Sequence, residues 1–341
     1  MATTALVISG GGSKGAFAVG VLKSVFQRRP DLQFDIVVGT STGALIAPLA
    51  SAENMPLLEQ LYTTTTNEDV LIKGNVGQRF LTADSIFDGS PLAATISRYY
   101  TDSFYENLIS QERKVCFATV CLQTKASVYF CSHPILPVTD AETELVQNAD
   151  QFRRAVAASA FQPIFMSPIE VVKNSVPLRQ YVDGGVREYA GVQLAIDQGA
   201  EEIFVILHSS AVPEVVEKRY SKMTEILMRT LEIFIYDVGV NDLTVPGMFN
   251  NALAYLQQVR LNMRAAGMSE GQIDELLQVP GSPYSNRRKV NIHIIRPDGP
   301  LGGGPGGLVF DPEEMKGMLA KGNSEMDRYI AGLPPNSGFL A

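Results

Sequence analysis

Phe34-Asp35-Ile36-Val37-Val38-Gly39-Thr40-Ser41-Thr42-Gly43-Ala44-Leu45-Ile46-Ala47 is the stretch on which the fold turns. The β-branched apolar run is a buried strand, the Gly-flanked centre a tight turn, and the small apolar residues after it begin a helix. The same order stands just upstream. Ala5-Leu6-Val7-Ile8 reads as a strand, Gly10-Gly11-Gly12 as a turn, and Lys14 through Phe26 carries helical spacing. Two consecutive βα units imply a parallel sheet with helices on its faces.

Downstream, strand composition returns at Val115–Val120, Ser127–Cys131, Gln180–Val182, Glu202–His208 and Val290–Ile295, and Ala149–Ala160 reads as a helix. Between Ser51 and Ser110 the chain is polar and helix-like, with a threonine run at Thr63–Thr66 and a turn signal at Gly74–Gly77, which suggests an insertion over one edge of the sheet. A second helical insertion runs from about Val215 to Leu277. It sets Phe249, Leu253, Leu256, Val259 and Met263 on one helix face, and holds Ile226, Leu231 and Ile233 to Tyr236 as further apolar surface. That stripe either packs on the core or faces lipid beside the active site. The Gly-rich stretch Leu301–Gly307 reads as a loop without chemistry. With no internal repeat and no linker, the expectation is one α/β domain over residues 1–341, a mostly parallel sheet flanked by helices on both faces, capped by a helical insertion at about 215–285.

Composition narrows the function. Hydrophobic residues make up 45% of the chain and charged ones 19%, as in ordinary folded proteins. The net charge of −8 argues against nucleic acid, which demands a basic face. The short clusters Arg28-Arg29, Arg153-Arg154 and Arg287-Arg288-Lys289 read as solvated surface. The three cysteines, Cys116, Cys121 and Cys131, lack zinc-ligand spacing and read as buried thiols of a reducing compartment. The N-terminus lacks a basic region and a long apolar run, and no stretch of the chain suits a membrane-spanning helix. A cytoplasmic protein with at most peripheral membrane contact is expected.

Gly39-Thr40-Ser41-Thr42-Gly43 is a GxSxG pentapeptide between a strand and a helix, a context that projects a serine from a strained turn. The helix behind it points N–H groups and partial positive charge at the same spot. Gly10-Gly11-Gly12-Ser13-Lys14-Gly15 also satisfies GxGxxG, but the next strand ends in serine rather than in the acid a dinucleotide ribose needs. Its glycine amides instead suit an oxyanion. For the base there are two candidates. Among three histidines, only His208 follows a strand's C-terminal end; Asp183 closes the strand Gln180–Val182 ahead of Gly184-Gly185.

Gly10–Gly15, Gly39–Gly43 and Asp183–Gly185, in that order, together with Ala157–Phe165 and the lead-in Gly307–Met315 to the closing helix, resemble the patatin-like phospholipases. The resemblance covers most of residues 5–210 and the C-terminal segment, and leaves the 215–285 insertion uncovered. It implies a Ser–Asp dyad, carried here onto Ser41 and Asp183, with Gly10, Gly11 and Gly12 holding the oxyanion and His208 unneeded. Lys14, Gly15, Gly184 and Gly185 would support the site, and Gly39, Thr40, Thr42 and Gly43 would shape the turn. It implies acyl-ester hydrolysis of phospholipids, lysophospholipids or neutral glycerolipids, with no metal and no cofactor. A short-chain carboxylesterase or acyltransferase is the alternative within the class, and a non-catalytic nucleotide-binding or interaction protein the alternative outside it.

Overall fold

The computed structural model describes residues 2–74, 79, 82–212, 215–284 and 287–333. Its strands are β1 (Thr4–Ile8), β2 (Ile36–Thr40), β3 (Lys114–Cys121), β4 (Ser127–Cys131), β5 (Ala141–Leu145), β6 (Tyr181–Asp183), β7 (Glu202–Ile206) and β8 (Asn291–Ile295). They form one sheet in the order β5-β4-β3-β2-β1-β7-β8, with β6 paired on β3. β1, β2, β3, β7 and β8 run parallel, whereas β4 and β6 each lie antiparallel to β3. The expected architecture, a mostly parallel sheet with helices on both faces, is the one observed.

The described helices are α1 (Gly15–Arg28), α2 (Thr42–Ser51), α3 (Met55–Thr64), α4 (Ser90–Tyr99), α5 (Asp102–Ser110), α6 (Ala149–Ala160), α7 (Val192–Asp197), α8 (Met223–Ala265), α9 (Glu270–Leu277) and α10 (Pro312–Ala331). Side chains alternate across the strands. Leu6, Ile8, Val37, Phe117 and Phe204 join one core with α1 to α6 and α10, while Val7, Val38, Cys116 and Val205 join a second with α7 and part of α8.

Two expectations change. The segment from Ser51 to Ser110 is no edge insertion, because Leu58, Leu92, Ile96 and Leu108 of α3, α4 and α5 share the core of Leu6 and Phe117. Each helix is short and mostly polar, and its narrow apolar stripe is what buries. The turn signal at Gly74–Gly77 lies, beyond Gly74, outside the described residues. The reading of three thiols also fails: Cys116 and Cys131 stand opposite each other in the β3–β4 register and form a disulfide, and only Cys121 is a free, buried thiol. Strand register, which spacing along the chain does not reveal, brings them together.

Strand β5 was not expected. It places Glu142 and Glu144 on the exposed edge of the sheet, the charged composition that protects an edge from pairing further. The arginine clusters are tied to carboxylates, Arg28 to Asp327, Arg153 to Asp102 and Arg288 to Glu201.

Candidate active site

Strand β2 ends with Thr40 beside Ala118 of β3, and the chain turns sharply at Ser41 into α2. Ser41 has φ 57° and ψ −122°, a left-handed backbone that few residues other than glycine adopt. The turn is crowded, and a Cβ at Gly39 or Gly43 would overlap backbone of Gly43 or of Ile8. Its geometry is held from outside. The Ser41 N–H donates to Ser159 Oγ at 3.1 Å, and the Ser159 hydroxyl donates to the Ala118 carbonyl at 2.6 Å. Thr42, first residue of α2, shares a hydroxyl–hydroxyl hydrogen bond of 2.5 Å with Tyr62 of α3, and Gly15 leaves room for that pair.

Asp183 reaches the same point by a different route. β6 takes up pairing on β3 at Thr119, one residue beyond the position where β2 stops, and runs toward β2. Its last residue, Asp183, is buried, accepts the Gly185 N–H at 2.8 Å and lines the same cavity as Ser41. Burial pushes its carboxyl up to about 6, against the opposing pull of the nearby Ser41 side chain and the Gly185 N–H. Gly184 has Ala118 backbone where a side chain would stand.

The loop Gly10–Gly12 lies over Ser41, and a Cβ at Gly10 would come within 3.2 Å of Ser41 Cβ. Of the three expected oxyanion donors, Gly10 is engaged elsewhere: its N–H donates to the Tyr189 carbonyl at 3.3 Å. Among the described residues the N–H groups of Gly11 and Gly12 meet no protein acceptor. Gly12 has φ 58°, and a Cβ there would strike the Gly307 carbonyl. The Gly-rich loop read as having no chemistry is thus the surface on which the Gly10–Gly12 loop rests.

His208 lies beneath this loop. Its Nδ1 stands 2.9 Å from the Gly10 carbonyl and 3.1 Å from Ser9 Oγ, and its Nε2 is buried with no protein partner. Burial, chiefly, lowers its pKa to about 4, with the Lys14 charge a smaller contribution. A neutral imidazole that donates to Gly10 from Nδ1 fits both facts. Ser41, Asp183 and His208 line one cavity, and neither ring nitrogen of His208 is hydrogen-bonded to Ser41.

Ser41 stands where two cavities meet. One, of about 320 Å³, runs beneath α8 and is lined by Gly11, Lys14, His208, Arg229, Ile233 and Tyr236. The other, of about 90 Å³, runs between α3 and α4 and is lined by Leu61, Val70, Leu92, Ile96, Met166 and Phe310. Gln162 and Gly306 border both. From α8, Glu232 accepts the Gly306 N–H at 2.6 Å and pairs with Arg229 at 3.1 Å. Asp242 accepts the N–H groups of Tyr189 and Ala190, each at 2.8 Å, and burial raises its carboxyl pKa. Gly239 lets the helix close on the Tyr189 ring.

The stripe Phe249, Leu253 and Leu256 is not beside Ser41. Phe249 is half-buried, edge-on to Tyr284 at 5.9 Å and beneath the Arg287 guanidinium at 4.0 Å. Leu253 lies twenty residues past Ile233 on one helix, which places it about 30 Å farther along.

Sequence reasoning missed Ser159, Gln162, Glu232 and Asp242. Ser159 and Gln162 lie in the Ala157–Phe165 segment that carried part of the resemblance, whereas the two acids of α8 had no local signal. Among the described residues, no three His, Cys, Asp or Glu side chains converge as metal ligands.

The chain is similar in part to two yeast lipases. Over 141 residues, 37% of the chain, it is 28% identical to triacylglycerol lipase 5 of Saccharomyces cerevisiae, and over 132 residues, 34% of the chain, 31% identical to triacylglycerol lipase 4 of the same yeast. These matches span only 18% and 14% of the two relatives. VipD from Legionella pneumophila overlays 96% of the chain and 66% of its own length, with a TM-score of 0.39 and 10% identity. The family model for patatin, described as patatin-like phospholipase, matches residues 6–196. That span exceeds half of the 341 residues and contains Gly10–Gly12, Ser41 and Asp183: the chain belongs to the patatin-like phospholipase family.

Proposed function

We propose that the chain hydrolyses acyl esters of glycerolipids through a Ser41–Asp183 dyad. The observation that carries this reading is Ser41 on a strained strand-to-helix turn, in one cavity with the buried Asp183 carboxylate. As Ser41 Oγ bonds to the ester carbonyl carbon, its proton passes to Asp183, and negative charge collects on the carbonyl oxygen. The N–H groups of Gly11 and Gly12, with those opening α2, are the donors for that charge. When the C–O bond to the alcohol breaks, the proton moves from Asp183 to the leaving oxygen. Water then attacks the acyl-enzyme, gives its proton to Asp183, and Ser41 recovers that proton as the fatty acid leaves.

The names of the yeast relatives support a glycerolipid substrate. No described helix is long and apolar enough to cross a membrane, so a lipid ester would be met at its surface. The face that suits this contact is the start of α8 and the segment before it. Met223 and Phe234 are 78% and 59% exposed, Val215 is 84% exposed, and Lys218, Arg219 and Lys222 lie among them beside Glu217 and Glu225. Burying three large apolar side chains in lipid contributes several kcal/mol, at about 1.5–3 each.

Reaction with an alkyl fluorophosphonate tests the catalytic reading. Ser41 is expected to gain the phosphonyl mass, and Ser41→Ala to gain none. A folded wild-type chain that does not react removes the hydrolase reading and favours a binding role.

A further inference from the structure

On the basis of the hydrolase reading above, we propose that the two cavities at Ser41 divide the ester. The acyl chain enters between α3 and α4, and the alcohol leaves beneath α8.

An ester bonded to Ser41 Oγ must send its two arms in different directions, and the walls there differ in their balance of apolar and charged side chains. Between α3 and α4 the larger part of the wall is apolar, from Leu61, Val70, Leu92, Ile96, Met166 and Phe310, with Thr65, Asp69 and Thr95 among the polar residues that also border it. Each methylene buried against such a wall improves binding roughly fourfold. Beneath α8, Lys14, Ser209, Ser210, Arg229, Glu232 and Tyr236 offer donors and acceptors that match the oxygens of a glyceride or a phosphorylated headgroup. Gln162 and Gly306 stand between the two, and Glu232 holds the Gly306 N–H, so the partition is pinned to α8. Chain length is therefore read by α3, α4 and the segment around Phe310, and the alcohol by α8.

The test measures kcat/KM for p-nitrophenyl butyrate and dodecanoate, and compares glyceride with p-nitrophenyl leaving groups, for three variants of the whole chain. Leu61→Trp and Leu308→Trp narrow the α3–α4 cavity from half-buried positions, and Ile233→Trp narrows the α8 side. The expected result is a fall of at least tenfold in the dodecanoate-to-butyrate ratio for the first two. Ile233→Trp is expected to leave that ratio within threefold while changing the preference between leaving alcohols. The assignment is overturned if neither narrowing variant lowers the ratio, or if Ile233→Trp lowers it as much. Should a tryptophan variant fail to fold, thiol labelling of Leu61→Cys and Ile233→Cys decides the matter without turnover. A dodecyl fluorophosphonate on Ser41 is expected to shield the thiol at position 61 and not that at 233; the reverse pattern overturns the assignment. Failure of Ser41 to react with any phosphonate would instead remove the hydrolase reading beneath it.

Discussion

Asp183 comes into one cavity with Ser41 because β6 occupies the place beside β3 that β2 vacates when the chain turns at Ser41. The two residues are far apart in sequence and arrive on strands of opposite direction. Their side chains share one buried spot, and this has consequences for both rate and stability.

Asp183→Asn is expected to abolish hydrolysis and to stabilise the fold. The carboxyl sits near 6 when folded against the ordinary 3.8 of an exposed aspartate, so a neutral-pH solution forces a buried charge on the native state. In linkage terms the folded chain binds the extra proton between those values. Stability is highest below the lower one and declines as pH rises through about 6, by about 3 kcal/mol at most. Removing the charge should recover part of this, and thermal melts at pH 7.5 check it. An unchanged or lower Tm would contradict the inferred cost.

The same carboxyl sets the pH profile. As a base it must be ionised, so kcat/KM on a soluble ester is expected to fall tenfold per pH unit below about 6, well above the range of an ordinary aspartate. His208, held to about 4 by burial, would place its break lower. An acidic limb near 4 in the wild type that disappears in His208→Ala would assign the base to the histidine.

Ser159→Ala removes the acceptor of the Ser41 N–H and the donor to the Ala118 carbonyl. Two buried backbone groups are left without partners, a loss of about 1–3 kcal/mol each. A lower Tm and at least a tenfold drop in kcat with little change in KM are expected, because the strained turn loses its support. His208→Ala should act more mildly. It frees the Gly10 carbonyl, costs roughly tenfold in rate for about 1.4 kcal/mol, and leaves the acidic limb in place.

The face before and at the start of α8 can be separated from the packed half of the same helix. Met223→Ser with Phe234→Ser alters exposed side chains and is expected to leave Tm unchanged, cut activity on anionic vesicles severalfold, and spare a soluble short-chain ester. Neutralising Lys218, Arg219 and Lys222 should weaken vesicle binding by about 1 kcal/mol per charge and remove its salt dependence. Phe249→Ser, by contrast, uncovers the contact with Tyr284 and Arg287 and should lower Tm. Equal loss on vesicles and soluble ester in a folded Met223/Phe234 variant would sink the interfacial face.

What the sequence by itself determined is the local chemistry: strand, turn and helix at Ser41, small residues where backbone crowds, an aspartate at a strand end, and a parallel sheet from repeated βα units. These follow from short-range sterics and hydrophobic period, which neighbouring residues encode. Tertiary structure alone decided what depends on distant segments meeting. It made β6 the continuation of β2 and so brought Asp183 into one cavity with Ser41, tied the Gly10 N–H to Tyr189, and placed Ser159 behind the turn. It paired Cys116 with Cys131 through register, set Gly307 against Gly12, and put half-buried Phe249 against Tyr284 and Arg287 while leaving Met223 and Phe234 outside. A helical stripe has the same period whether it covers a core or faces outward, and only the segment that packs across it determines which.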